Sequence, residues 1–392
     1  MNKALKNVFH VLLVLSLWVA PIVIYVVSVD ALGIVRPSLA LALVLLFAAV
    51  LVSLIVHELG HLFAGKAVGF RFYVLTIGPF MIQKVGDSLR PGINRHLNVG
   101  GGLTIMLPET DQFKDSDMFW MILGGPLGNF VLLVFCALAL LAFSLLSDGF
   151  IESPGAFALF ITGFVSLILG AFNMLPMGRN SQLETDGMHL LDLKRGGVRA
   201  AAKHKLTAIS VSMWSGSRPR DLDKDAIESL LQLTSSEVNH AALAARFIAA
   251  VNHLDCGRPA AAEAHLDDIA DEVEKNRNAL MEGSVYALKA VISAAYRNDR
   301  SSAEAFLGRA KKAYVEGQTI AMAEAALLVL DGRVEEGKRC AERGLREADA
   351  SPDKGGVELE KDILQQLREG VLPDFGVATP HSDAAIAERH EK

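Results

Sequence analysis

Val56-His57-Glu58-Leu59-Gly60-His61-Leu62 places two imidazoles and a carboxylate inside an apolar run, residues 39–64, that is long enough to cross a membrane as a helix. Residues i and i+4 lie on one helix face, so both rings can contact one cation, while Glu58 can reach a water bound to it. Zn²⁺ is the ion we expect, because it binds imidazole nitrogen and carboxylate oxygen and keeps one position open for water. The alternative is a polar cluster buried between helices.

The composition indicates a membrane protein. The chain has 392 residues, of which 51% are hydrophobic, and this length allows two domains. Its net charge of −6 argues against a nucleic-acid partner. The three cysteines include no C-x-x-C pair, so neither a disulfide framework nor a thiolate zinc site is indicated.

Four apolar runs predict about four transmembrane helices, at residues 8–29, 39–64, 119–146 and 156–175. The first exceeds the usual length of a signal peptide, so we interpret it as an uncleaved anchor. Basic residues fall almost entirely on one side of this four-span arrangement, and only Arg36 falls on the other. The asymmetry predicts that both termini are cytoplasmic and that His57 lies near the inner edge of the membrane.

Two histidines leave a catalytic zinc ion short of one protein ligand. The fourth span ends in a segment broken by proline and glycine, and a carboxylate there would lie at the depth of the histidines. Asp186 is the candidate third ligand and Glu184 the weaker alternative. Asp186-Gly187 can also be an ordinary surface turn.

Three motifs together resemble the site-2 protease family of intramembrane zinc metalloproteases. They are His57-Glu58-x-x-His61, Gly124-Gly125-Pro126-Leu127-Gly128-Asn129, and Asn173-x-x-Pro176 followed by Asp186-Gly187. The resemblance covers about residues 39–195. One departure is the spacing from the proline to Asp-Gly, which is nine residues here and usually about four in the family.

The resemblance implies roles for these residues. His57, His61 and Asp186 would hold one Zn²⁺ per chain, and Glu58 would be the general base and acid. Asn173 would orient substrate or stabilise the oxyanion. The substrate would be a single-span protein of a bacterial inner membrane, cut in or near its transmembrane segment during regulated intramembrane proteolysis.

The segment between the second and third spans predicts β-structure. Residues 70–82 and 97–106 are typical of strands separated by turn residues. Site-2 proteases carry a membrane-associated β-hairpin or sheet here, whose edge could hold unwound substrate. A hairpin that only plugs the helix bundle is the alternative. The loop is too short to hold an additional PDZ domain.

Glycines on the third span predict close helix packing. Gly124, Gly125 and Gly128 are small residues about one turn apart, the spacing that lets helix backbones approach. Asn129 makes a polar break in the same turn and is a candidate residue lining the site.

The C-terminal half predicts an all-α soluble domain. Helices pair around three breaks, at 257–259, 298–299 and 331–332, with a period that suits helix-turn-helix repeats. The pattern weakly resembles tetratricopeptide repeats, which bind peptides or proteins, and a plain bundle is the alternative. We therefore predict five segments: an N-terminal anchor and outer loop (1–38), a metalloprotease core (39–195), a linker (196–225), a cytoplasmic helical-repeat domain (226–371) and a disordered tail (372–392).

The fold class predicted is thus an α-helical polytopic membrane protein with a small β-hairpin and an all-α soluble domain. Three functions compete. The leading one is the intramembrane protease, the second a catalytically inactive scaffold with a structural metal site, and the third a metal-handling membrane protein. Glu58 separates them, because a scaffold or a transporter has no need of a carboxylate that is not a ligand.

Overall fold

The computed structural model describes residues 27, 29–85, 88–94, 101–178, 184–237, 239–276 and 281–375, and for residues 274–276 it describes the backbone alone. The predicted first span, apart from Val27 and Val29, lies outside these residues, as does the predicted tail beyond Phe375. The chain divides into two compact units. One comprises residues 1–64 and 120–175, and the other comprises residues 65–119 and 176–392.

Three long apolar helices dominate the first unit: α1 (Leu39–Ala67), α2 (Asp115–Leu146) and α3 (Pro154–Met174). Each is long and apolar enough to cross a membrane, so three of the four predicted spans are found as candidate membrane helices. Their outward side chains are apolar, as shown by the exposures of Phe47 (73%) and Leu146 (82%). An apolar surface of this kind is stable in lipid and costly in water, so this unit is built for a membrane.

Glycines let α1 and α2 pack backbone against backbone. A Cβ atom on Gly60 would lie 2.2 Å from the carbonyl oxygen of Gly124, and one on Gly128 would lie 2.8 Å from the carbonyl oxygen of Val56. No side chain fits such distances, so the interpretation of Gly124 and Gly128 as packing residues is confirmed. This contact fixes the part of α1 that carries the two histidines against the glycine-rich turn of α2.

The second unit contains a four-stranded antiparallel sheet instead of the predicted hairpin. Its strands are β1 (Phe70–Ile77), β2 (Phe80–Val85), β3 (Ser88–Ile93) and β4 (Gly102–Pro108), in the order β3-β2-β1-β4. The predicted strand over 70–82 breaks at Gly78, whose φ of +54° suits a turn. Strand β3 was not predicted from the sequence. The first residues of the predicted strand 97–106 lie outside the described part of the chain.

Ten α-helices follow in the described part of this unit. They are α4 (Asp186–Arg195), α5 (Val198–Ser215), α6 (Lys224–Thr234), α7 (His240–Asp255), α8 (Pro259–Asn276), α9 (Glu282–Ala295), α10 (Arg300–Ala310), α11 (Gly317–Leu330), α12 (Val334–Ala348) and α13 (Gly356–Arg368). Helix α5 occupies most of the predicted linker, 196–225. The all-α prediction for the C-terminal half agrees with this architecture.

The three predicted helix pairs correspond to α7–α8, α9–α10 and α11–α12. Each predicted break contains a residue with left-handed backbone, namely Gly257 (φ +71°), Asn298 (φ +52°) and Gly332 (φ +74°). Such residues end helices because they turn the chain away from the helical path. The helices bury a continuous apolar core that includes Leu266, Ile292 and Leu364, each fully buried.

Candidate metal centre

The two histidines of the metal motif lie side by side on α1. His57 and His61 are 5% and 8% exposed, and their Nε2 atoms are 3.2 Å apart. The rings meet edge to face with their centroids 4.8 Å apart. Glu58, the next residue on the same helix, is also buried, with 5% exposure. The i, i+4 spacing thus brings both imidazoles together inside an apolar environment, as predicted.

The Nδ1 atom of each ring faces an acceptor. Nδ1 of His61 lies 3.0 Å from the backbone carbonyl oxygen of Met121, so it carries a proton and donates it. Nδ1 of His57 lies 3.4 Å from the side-chain amide of Asn129, which is fully buried. The orientation of that amide decides which of its atoms faces the ring.

The surroundings of the Asn129 amide settle its orientation. Its NH₂ group donates to the carbonyl oxygen of Ser53 at 2.9 Å, and its oxygen accepts from the backbone N–H of Gly170 at 3.2 Å. The hydroxyl of Ser166 donates to the backbone carbonyl of the same residue at 3.0 Å. The amide oxygen therefore faces His57 and accepts from its Nδ1–H, in the way that acceptors behind metal-binding histidines orient the ring.

The Nε2 atoms of both rings, the nitrogens that a metal ion would use, thus lie 3.2 Å apart. Two nitrogen lone pairs at this distance repel unless a metal ion or a shared proton lies between them. Neutral imidazoles with protonated Nδ1 atoms are also the form in which histidine binds Zn²⁺. The donor set and its tautomers therefore fit a metal ion.

Gly125 leaves room beside these nitrogens. A Cβ atom at this position would lie 2.3 Å from Nε2 of His61 and 2.8 Å from Nε2 of His57. The sequence interpretation of Gly125 as a packing glycine missed this contact with the rings. The run of small residues in Gly124-Gly125-Pro126 is the sequence signal that could have pointed to it.

Asp186 begins α4 in the second unit. The preceding residue, Thr185, caps that helix by accepting from the N–H of Met188. The backbone N–H of Met177 donates to Oγ1 of Thr185 at 3.1 Å, and the N–H of Thr185 donates to the carbonyl of Met177 at 3.2 Å. These two hydrogen bonds, the Met177–Thr185 clasp, hold Met177 beside Thr185. The residue after Pro176 and the residue before Asp186 are therefore adjacent in space, although nine residues separate the proline from the aspartate.

The alternative ligand, Glu184, is held by cations. Its carboxylate pairs with the guanidinium of Arg199 and, at 2.8 Å, with Nζ of Lys203, and its side chain is only 6% exposed. Charge-assisted bonds of this kind compete with a metal ion for the same oxygens. Asn173 lies in the last turn of α3, partly exposed, and its predicted role in orienting substrate stays a prediction.

His57 and His61 in the first unit and Asp186 in the second have side chains of the types that bind metal ions, namely imidazole and carboxylate. Residues 45–153 match the family described as Peptidase family M50, the site-2 protease family. The predicted resemblance is thereby confirmed over this range, which contains the histidine motif and the glycine-rich turn but ends before Asp186. Comparisons with curated proteins and with solved structures gave no match.

The match supports a membrane metalloprotease of the site-2 protease type. Proteases of this family depend on zinc in general. The family match and the three apolar helices together indicate a membrane protein.

Proposed function

We propose that the protein is an intramembrane zinc metalloprotease that hydrolyses a peptide bond in or near the transmembrane segment of a membrane protein. The observation that carries this proposal is the pair of histidine Nε2 atoms that lie 3.2 Å apart on an apolar helix, beside the buried side chain of Glu58. An ionisable residue buried in a membrane-spanning helix is costly, and a catalytic role accounts for Glu58.

The proposed ligands are His57, His61 and Asp186, with one Zn²⁺ per chain. Two imidazoles and one carboxylate make the three-ligand set that leaves a fourth position for water. A bound zinc ion supplies a water of pKa about 7 and polarises the carbonyl that is attacked. Glu184 is not proposed as a ligand, since Arg199 and Lys203 already occupy its carboxylate.

Glu58 is the proposed general base and acid. Its carboxylate accepts a proton from the attacking water and passes it to the nitrogen of the leaving amine. Its place next to His57 gives it the reach for this transfer, and its burial keeps bulk water away from the reacting groups. Asn173 is proposed to orient the substrate or to donate to the developing oxyanion.

The sheet is proposed to hold the unwound substrate. A helical peptide must unwind before cleavage, because its carbonyls are already hydrogen-bonded. In the order β3-β2-β1-β4, β3 and β4 are the outer strands, and such edges accept an added strand. Strand addition would present the peptide bond in extended form.

For location, we propose a bacterial inner membrane with both termini in the cytoplasm. The distribution of basic residues in the sequence supports this orientation. The helical domain that follows would then recruit a single-span substrate or a protein that regulates it. Helix pairs that repeat along the chain support a role in binding peptides or proteins.

Glu58→Gln tests the proposal against both the inactive scaffold and the metal-handling protein. The variant should keep about one zinc ion per chain and lose cleavage of a reporter transmembrane substrate, because the amide cannot take the proton. Glu152→Gln, the same change at an exposed turn between α2 and α3, serves as the control and should cleave normally. Undiminished cleavage by the Glu58 variant would refute the mechanism, and wild-type protein that binds zinc without any cleavage would favour the scaffold.

A further inference from the structure

Residues on both sides of Asp186 in the chain take part in a buried ionic cluster, which consists of Glu184, Asp192, Arg199, Lys203 and Glu237. Arg199 donates to Asp192 at 3.0 Å, to Glu237 at 2.6 Å and also to Glu184. Lys203 donates to Glu184 and to Asp192, both at 2.8 Å. The side chains of Arg199, Glu184 and Asp192 are less than 10% exposed, so the two cations hold three carboxylates in a largely dry environment.

The charge states of the cluster follow from its contacts. Although burial alone would raise the pKa of Asp192, hydrogen bonds from Lys203 and Arg199 hold that pKa below its usual value. Burial and the neighbouring Lys203 lower the pKa of His189 to about 4, so its ring is neutral at pH 7. The neutral ring accepts from Nζ of Lys203 at 2.9 Å. Lys203 is therefore held from three sides.

The contacts of Arg199 and Lys203 lie on both sides of Asp186 along the chain. Glu184 is anchored two residues before it and Asp192 six residues after it, on the same α4 helix that Asp186 begins. The Met177–Thr185 clasp fixes the chain on the other side of the cap. A buried ionic network adds little stability compared with apolar packing, and its best-attested use is to specify one geometry.

We infer that Arg199 and Lys203 are positioning residues that fix Asp186 as the third zinc ligand, with Glu184 as their structural anchor. The inference rests on the proposed function, because it takes Asp186 as a ligand. Arg199 also reaches Glu237, which precedes α7, so it ties the helical domain to the segment that carries the ligand.

The test is a double-mutant cycle on zinc affinity with the full chain in detergent. Zinc dissociation constants are measured by competition with a chromophoric chelator for wild type, Arg199→Gln, Asp186→Ala and the double variant. Arg199→Gln should raise the dissociation constant about 10-fold, the low end of the loss seen when a residue that touches a metal ligand is removed, because Arg199 acts on Asp186 through its neighbours. Because Arg199 and Zn²⁺ are both positive, removing the charge of Arg199 would by itself strengthen Zn²⁺ binding. A loss of affinity would therefore mean that Arg199 acts by positioning Asp186.

In the Asp186→Ala background, Arg199→Gln should cause no further loss, because its effect passes through Asp186. Arg199→Lys should restore part of the affinity. Arg195→Gln, at an exposed arginine that ends α4, the helix that Asp186 begins, is the control and should bind zinc like wild type. An unchanged dissociation constant for Arg199→Gln, or an equal loss in both backgrounds, would overturn the inference.

Glu184→Gln provides a second route if Arg199→Gln does not fold, as judged by gel filtration and far-ultraviolet circular dichroism. It should weaken zinc binding when Asp186 is present and have no effect when Asp186 is absent. A further loss in the Asp186→Ala background would mean that Glu184 binds the metal itself, which overturns the inference. If Asp186→Ala alone leaves the affinity unchanged, the ligand set of the proposed function fails as well. If only the Arg199 effect is missing, the proposed function stands.

Discussion

Replacing Gly125 with alanine should abolish tight zinc binding while leaving its helix intact. The added methyl carbon would lie 2.3 Å from Nε2 of His61 and 2.8 Å from Nε2 of His57, whereas ordinary contacts begin at 3.4 Å. Nε2 of His61 would therefore have to move by about 1 Å, several times the tolerance of about 0.2 Å in metal–ligand distances. Alanine favours a helix by about 1 kcal/mol over glycine, so the helix itself should not unfold.

We expect the zinc dissociation constant of Gly125→Ala to rise about 100-fold. Cleavage should fall at least as much, since a misplacement of about 1 Å costs about 100-fold in rate. Gly163→Ala is the control, because its new Cβ would lie 3.1 Å from the Cβ of Cys136, away from both histidines. Wild-type zinc affinity in the Gly125 variant, with the control behaving normally, would refute the assignment of these nitrogens as ligands.

Three further predictions concern other sites. Asn129→Leu should raise the zinc dissociation constant about 10-fold, because the acceptor for Nδ1 of His57 is lost, and Asn129→Asp should retain affinity. Burial raises the pKa of Glu360 from 4.5 to about 8, so its contribution to stability is full below about pH 4.5 and is lost as the pH rises through 8. Glu360→Gln should therefore raise the melting temperature above pH 8 and leave it nearly unchanged near pH 4. Arg218→Gln removes the cation that pairs with the buried carboxylate of Asp255, which keeps only the N–H of Arg220, and should lower the free energy of unfolding by about 3 kcal/mol, measured by denaturant titration.

The sequence predicted the helices well where local signals mark their ends. The breaks at 257–259, 298–299 and 331–332 contain glycine or asparagine in left-handed backbone, and such residues are visible without a structure. Strand β3 was missed because Pro91 and Gly92 weaken any strand pattern, and its side chains are mostly exposed. Helix α5 lies within the range predicted as a linker, which is bounded by Gly196 and Gly197 on one side and contains Gly216 on the other.

For the site, the sequence could predict what one helix determines. The pairing of His57 with His61 follows from helical spacing alone. Helical spacing cannot decide between Asp186 and Glu184 as the third ligand. The evidence against Glu184 is its pairing with Arg199 and Lys203, and these cations come from a different helix. The role of Gly125 likewise depends on its distance to residues more than 60 positions away.

The Met177–Thr185 clasp makes separation along the chain independent of separation in space. Since the clasp and the ion pairs of Glu184 hold the chain on the N-terminal side of Asp186, we expect the position of the aspartate to depend on these contacts more than on the number of residues that separate it from Pro176. A sequence search that requires a fixed gap between proline and Asp-Gly would then overlook chains that keep the same contacts.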